Sequence, residues 1–363
     1  MKKKILLISK LPPPFYGTTV WTEILLNSSL KDRYNLIHFN NNIHKDLKTL
    51  GKFGIRNIGS NLNLYFRLIL KLKSEKPDLV FIPISQTTIG FIKDSFFILL
   101  GRFYKRRVLL ILHGSNFLNW FKNSGIITEK YVKQCLKGTE GIIVLGEKLK
   151  PLFDGFYSSS RIFSVPNGAN CKFPSRQSSG KLNLLYVGNL QPSKGIEDIL
   201  NALILLSIPK DGYRFDVVGN WRSPESELKS KNIVAGNKLP VFFHGPVFNE
   251  SKYEFFSCAD IFIFTPREPE GHPYVIVEAM AAGLPIISTD KGAISESVLD
   301  GINGFIVQDR KPEQIAEKIN YLYMNPEIMG RMAKSSLKIY NENFTVETMV
   351  EKYCSVFDTI LNK

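Results

Sequence analysis

Two α/β domains in tandem, each a parallel sheet with helices on both faces, are predicted from three observations. The 363 residues are more than one typical hydrophobic core organises and suit two. Short apolar runs alternate with longer segments of helical character along the whole chain. That alternation breaks once, near residue 174, in the polar stretch FPSRQSSGK, and then restarts. The boundaries that follow are a first domain over 1–173, a linker over 174–180, a second domain over 181–345 and a C-terminal helix over 346–363.

In the first half the apolar runs predict strands at Lys4–Ser9, Leu36–Phe39, Asp78–Ile82, Val108–His113, Gly141–Leu145 and Ile162–Val165. Helical segments fall between them at Val20–Leu30, Leu62–Lys73, Ser95–Phe103, Thr128–Leu136 and Leu149–Phe153. The opening MKKKILLIS has the charge of a signal peptide but too short an apolar stretch, and Lys10 and three prolines follow at once. It reads as a first strand. In the second half the strands are Leu182–Val187, Phe215–Val218, Val241–His244, Ile261–Thr265, Pro285–Ser288 and Phe305–Val307. Helices are expected at Ile196–Leu206, Lys252–Ser257, Val275–Ala281 and Pro312–Tyr323, with an amphipathic final helix at Val346–Leu361. Tandem α/β domains leave a cleft between them, and parallel sheets bind ligands beyond the C-terminal ends of their strands.

Composition narrows the partners. The formal charge of +14 is unevenly placed: residues 1–175 carry a net +17 and residues 176–363 a net −3. The first half therefore favours an anionic partner, such as an anionic membrane or a lipid-linked acceptor. Nucleic acid is disfavoured, because the charge comes with no recognised fold motif or set of stacking residues. Four scattered cysteines, without a CxxC pair, read as free thiols in a reducing, cytoplasmic compartment. No apolar run approaches the length of a membrane span, and no tight metal-ligand spacing such as HExxH is present, so no metal is expected.

The densest chemistry lies in TPREPEGHPYVIVEAMAAGLPIISTD. A strand ending near Thr265 feeds a loop containing Glu270 and Gly271, and Glu278 follows on the next helix. Two carboxylates beyond a strand end can accept hydrogen bonds from paired sugar hydroxyls. Gly271 permits a tight turn with accessible backbone N–H groups. From spacing alone, helix-end charge and solvation explain the pair equally well. The alanines and Gly283 after Glu278 favour a close approach to sheet or ligand.

This segment resembles the E-x7-E region of retaining GT-B glycosyltransferases, particularly family 4. HG at 113–114, VPNG at 165–168, YVGNLQPSKG at 186–195 and STDKGAISE at 288–296 extend the likeness. The resemblance implies the GT-B fold, two Rossmann-like domains facing across a cleft, with the C-terminal helix crossing back to the first domain. It implies a hexosyltransferase moving sugar from a nucleoside-diphosphate sugar, UDP- or GDP-linked, with retention and without metal. Glu270 would contact the donor sugar and Glu278 the ribose. His113, after the apolar strand VLLILHG, would lie against the sugar, orienting it and supporting transition-state charge.

The loop Asn189–Lys194 follows the first strand of the second domain, where a strand–loop–helix turn offers N–H groups to an anion. Lys194 can place a positive charge on the leaving diphosphate. Asn189 departs from the resemblance, since many members carry arginine there. Arg267 and Arg222 are the candidates to supply the missing charge. Gly17, in the loop PPPFYGTT after the first strand, would let backbone approach phosphate, although members of the family commonly have two glycines there. The acceptor implied is a glycan or lipid-linked glycan in cell-surface polysaccharide synthesis, reached from the cytoplasm or the inner face of the membrane. A sugar-nucleotide epimerase of the same architecture and a non-catalytic sugar-nucleotide-binding or nucleic-acid-binding protein are the competing readings.

Overall fold

KILLIS forms β1 (Lys4–Ser9), in which Ile5, Leu6, Leu7 and Ile8 have no exposed surface. A strand buried on both faces is what a helix-covered parallel sheet requires. The computed structural model describes residues 2–42, 55–175, 180–247 and 251–362, the side chains of 55–61 excepted. After β1 come α1 (Gly17–Asn27), α2 (Leu30–Arg33), β2 (Asn35–Asn40), α3 (Ile55–Glu75), β3 (Leu79–Pro83) and α4 (Thr88–Phe103). β4 (Arg107–Ile111), α5 (Phe117–Lys122), α6 (Ile126–Lys137), β5 (Gly141–Val144) and β6 (Ile162–Ser164) complete the first sheet. Its strands are all parallel, in the order β2-β1-β3-β4-β5-β6.

The second sheet is built the same way. In chain order its elements are β7 (Leu182–Val187), α7 (Ile196–Ile204), β8 (Tyr213–Val218), α8 (Pro224–Gly236), β9 (Val241–Gly245) and α9 (Ser251–Cys258). There follow β10 (Ile261–Phe264), α10 (Tyr274–Ala281), β11 (Ile286–Thr289), α11 (Ile294–Ser297), β12 (Gly304–Val307), α12 (Pro312–Met324) and α13 (Pro326–Asn343). The parallel order is β12-β11-β10-β7-β8-β9. β7 and β10 are central, and both are buried along their length. The loops leaving their C-terminal ends are the ones carrying Asn189–Lys194 and Arg267–Glu278.

By packing, the chain divides into Met1–Asn167 with Val346–Lys363, and Gly168–Thr345. The division therefore falls before the 173/174 boundary expected from composition. The reason is Phe173, whose ring packs on Tyr253 and Phe256 of the second unit at 5.3 and 6.4 Å. Of the expected linker, residues 176–179 lie outside the described residues. The last helix, α14 (Val346–Leu361), belongs to the first unit. There Tyr353 is fully buried and accepts a 2.8 Å hydrogen bond from the Trp21 indole.

Sequence patterning places the strands within two residues of their observed ends. It does not place α2, α5, α8, α11 or α13 as helices of their own, and it starts α3 and α4 seven residues late. α8 buries only Ser226 and Ser230, and α13 only Met332 and Ser336. α8 carries almost no apolar stripe to read, whereas α13 packs Ile328, Met329, Ile339 and Tyr340 against the core, a stripe the sequence reading passed over.

Candidate functional site

β7 ends in Val187 and the chain turns at once. The buried Tyr186 phenol donates to the Asn189 carbonyl at 3.0 Å, fixing the start of the loop. Pro192–Lys194 then make one turn of 3-10 helix, in which Lys194 N–H and Gly195 N–H bond back to Gln191 and Pro192. Gly195 has a positive φ of 76°, and a Cβ there would stand 1.9 Å from the Thr265 carbonyl oxygen. Only glycine lets this loop press onto the end of β10.

That pressure brings Lys194 to Glu270: its ammonium forms an ion pair with Oε1, both side chains largely shielded from solvent. Glu270 is held from the other side as well. Gly292, at φ 64°, lies so close that a Cβ would stand 1.8 Å from the Glu270 carbonyl oxygen, and Ala293 N–H donates to the Gly271 carbonyl at 2.9 Å. The loop after β11 thus braces Glu270–Gly271.

Glu278 lies on α10 and is buried. Its Oε1 accepts a 2.6 Å hydrogen bond from Lys252 on α9. Its Oε2 is buried without a hydrogen-bond partner. Lys252 is a site residue that sequence reading missed. It has no local motif, and its meaning comes only from the approach of α9 to α10.

Arg267 is paired with acidic residues of α7. Its guanidinium makes a two-point contact with Asp198 at 2.6 and 2.8 Å and lies 3.9 Å from Glu197. The hydrogen bonds to Asp198 raise its pKa further above the ordinary arginine value. Its charge is thus engaged by Asp198, as that of Lys194 is by Glu270. Glu197 and Asp198 form the acidic first turn of α7, whereas the first turn of α10 has no acidic residue. An anion is therefore better received at the N-terminus of α10 than at that of α7. Arg222 remains: it is exposed, its N–H donates to the Leu190 carbonyl at 3.1 Å, and Leu190 N–H donates to Asn220 at 2.9 Å. The two loops run side by side, and Arg222 bonds to the residue that follows the exposed Asn189.

In the first unit, β4 ends at Ile111 and His113 lies two residues beyond. Its ring packs edge-on against Trp21, with centroids 4.6 Å apart, and its Nε2 is buried without a hydrogen-bond partner. Burial pushes its pKa down to about 3. The imidazole is therefore neutral at physiological pH and can act by hydrogen bonding, not as the cation that charge support would suggest. Gly17 begins α1, and a Cβ there would meet nothing within 4 Å, so packing does not demand glycine. The loop before it is pinned by the Thr19 hydroxyl, which takes Tyr16 N–H at 3.1 Å and donates to the Pro14 carbonyl at 2.9 Å.

Two other histidines have structural partners. His272 is buried with Nε2 2.6 Å from the Ser297 hydroxyl, and His244 lies 2.6 Å from Asp216. Among the described residues, no group of three or more His, Cys, Asp or Glu is arranged to hold a metal ion.

Lys194 and Glu270 lie on loops beyond the central strands of a doubly wound sheet, with Glu278 and Lys252 on the helices beside them, an arrangement that suits a nucleotide-sugar transferase. Comparison with known proteins supports that class. Residues 170–338 match the family described as Glycosyl transferases group 1. An uncharacterized glycosyltransferase of Methanocaldococcus jannaschii is 27% identical over 298 residues, covering 77% of this chain and 73% of the relative. The lipopolysaccharide 1,2-N-acetylglucosaminetransferase of Salmonella typhimurium is 26% identical over 230 residues, 58% of this chain and 60% of the relative. The crystal structure of Anabaena HepE in complex with UDP-glucose superposes with a TM-score of 0.75 at 16% identity, covering 98% of this chain and all of that one. The fold is GT-B, with two Rossmann-like domains, as expected. The chain is a glycosyltransferase related to the group 1 family.

Proposed function

We propose that this enzyme binds a UDP- or GDP-linked sugar chiefly through its second domain and transfers the sugar, with retention, to a hydroxyl of a glycan or lipid-linked glycan. The observation that carries this is Glu278. Lys252 fixes one carboxylate oxygen, and the other is buried with an open acceptor position, which suits a ribose hydroxyl. The Salmonella relative is named for lipopolysaccharide and the Anabaena neighbour was solved with UDP-glucose; both fit the proposed substrate classes.

The Lys194–Glu270 pair supplies the exchange. An arriving diphosphate competes with Glu270 for the Lys194 ammonium, and the carboxylate then turns to the sugar hydroxyls. Arg222 provides the second cation that Asn189 cannot, and the backbone N–H groups around Gly271 and the start of α10 add dipoles. In the step itself, the bond from the anomeric carbon to the diphosphate oxygen breaks. The acceptor oxygen bonds to that carbon from the same face, and its proton passes to the leaving phosphate. Neutral His113 is assigned a hydrogen bond to the sugar, and Gly17 a close backbone approach at the phosphates or acceptor. The acceptor is met at the cytoplasmic face of the membrane, in keeping with the basic first half of the chain.

A thermal-shift and calorimetric screen against UDP-glucose and GDP-mannose tests the donor reading without added metal. Binding weakened about 10–100-fold in both Lys194→Ala and Arg222→Ala is expected from the loss of a charge-assisted contact. Arg222→Ala binding like wild type would remove Arg222 from the site. No binding of either probe by folded wild type would sink the donor assignment.

A further inference from the structure

α4 carries apolar residues on its outer as well as its inner face. Its inner face buries Phe91, Phe97 and Ile98. Its outer face carries Ile89, Ile92, Phe96, Leu99 and Phe103, three or four residues apart and all exposed, Phe103 to 78%. An ordinary surface helix is polar on that side. α3 repeats the pattern, with Leu64, Leu68 and Leu72 buried and Leu62, Phe66 and Leu70 between 51% and 65% exposed.

The two outer faces adjoin. Tyr65 of α3 sets its ring 4.9 Å from that of Phe96, and its hydroxyl reaches the Lys93 carbonyl at 3.4 Å. On the other side α6 joins α4 through the Ser95 and Tyr131 hydroxyls, 2.6 Å apart, and opens with Ile126 and Ile127, 72% and 87% exposed. The chain steps from β2 past β1 to β3, then to β4 and β5, always in the same direction. Right-handed crossovers therefore place α3, α4 and α6 on one face of the first sheet. Single exposed apolar residues are ordinary, but a contiguous field of them marks an interaction surface.

Charge selects the partner. Residues 62–107 contain nine Lys and Arg against three Asp and Glu. Two of the acids are engaged on α3 and α4: Glu75 is paired with Lys71 and Lys4, and Asp94 accepts Ser85 N–H at 2.7 Å. Lys73, Lys105 and Lys130 are exposed on the three helices or directly beside them. No helix among the described residues is long and apolar enough to cross a membrane. We infer that the outer face of α3, α4 and the start of α6 docks on an anionic lipid bilayer. Its phenylalanines and aliphatic side chains enter the headgroup boundary, and its lysines meet the lipid phosphates. This deepens the proposed action at a membrane by naming the surface, and it requires no donor.

Flotation of the full chain with two kinds of vesicle tests it: phosphatidylcholine alone, and phosphatidylcholine with about 30% phosphatidylglycerol. The test variant is Phe66→Ser/Phe96→Ser/Phe103→Ser, three exposed positions. Wild type should float with the anionic vesicles and about tenfold less with the neutral ones. The triple variant should lose about tenfold or more while keeping its unfolding temperature and its stabilisation by UDP-glucose or GDP-mannose. Wild type that stays off anionic vesicles, or a variant that floats equally well, overturns the proposal. So does a wild-type dimer in solution that the variant dissolves, since a second copy would then cover this face. Flotation intact in a chain that binds neither donor probe would support the docking surface and sink the donor assignment alone.

Discussion

Glu278 has one oxygen engaged by Lys252 and one buried without a partner, so substitutions on the two sides of the pair should separate binding from stability. Glu278→Gln keeps the shape and removes the charge. Donor affinity should fall about 10–100-fold with little change in unfolding temperature. Lys252→Met leaves a buried carboxylate uncompensated, and should lose about 1–3 kcal/mol of stability as well as donor affinity. Urea titration and calorimetry read both, and a Glu278→Gln variant that binds donor like wild type would sink the ribose role. His113 makes a second prediction. Its pKa is pushed from 6.5 to about 3 by burial. The unfolded chain therefore binds a proton that the folded one does not, and this ring's share of stability is lost as pH falls from 6.5 towards 3. Nitrogen-detected NMR, assigned with His113→Gln, should show a neutral ring at pH 5; a midpoint between 6 and 7 would contradict it. These residues were unequally legible. Glu270 and Glu278 lie in one short segment whose spacing is visible in sequence. Lys252 and Arg267 take their roles from partners 26 and 69 residues away. Local pattern therefore missed the first and gave no sign of the Asp198 partner of the second.

At the scale of elements, strands were legible because burial on both faces leaves continuous apolar runs, while α8 buries only two serines and leaves almost none. The exposed apolar face of α4 misled in another way. With apolar residues on both its inner and outer faces the helix shows little period, and its first turns read as loop. The brace on Glu270 was also hidden, because it is a close approach of two loops rather than a motif. It can be tested at Gly292. Alanine there combines a left-handed φ of 64° with a Cβ 1.8 Å from the Glu270 carbonyl. The loop has to move, at a cost of about 1–3 kcal/mol. Because the displaced backbone carries Glu270, donor affinity should fall with stability. Gly125→Ala is the control, at a positive φ of 84° with nothing within 4 Å of the added methyl. It should cost stability through backbone strain alone and leave donor binding intact. Equal donor affinity in both variants would show that the loop after β11 does not position Glu270.

Across the whole molecule, the charge is sharply divided. Residues 1–175 carry a net +17, and the rest a net −3. In the second unit the lysines nearest the proposed donor contacts are each paired with a carboxylate, Lys194 with Glu270 and Lys252 with Glu278. Close, shielded pairs respond weakly to ionic strength, whereas exposed lysines acting over longer range on a charged surface are screened within about 8–10 Å at physiological salt. The two binding events should therefore part company in a salt titration. Between about 20 and about 200 mM sodium chloride, capture by anionic vesicles should drop about tenfold or more, as several lysine–headgroup attractions weaken together. Donor affinity measured by calorimetry over the same range should change only a few-fold, because short charge-assisted contacts dominate it. A donor affinity that falls in parallel with vesicle capture would mean that long-range attraction from the basic domain, rather than the paired residues on the second sheet, sets donor binding. Salt-insensitive vesicle capture would instead assign the membrane contact to the apolar field of α3 and α4 alone, with its lysines as bystanders.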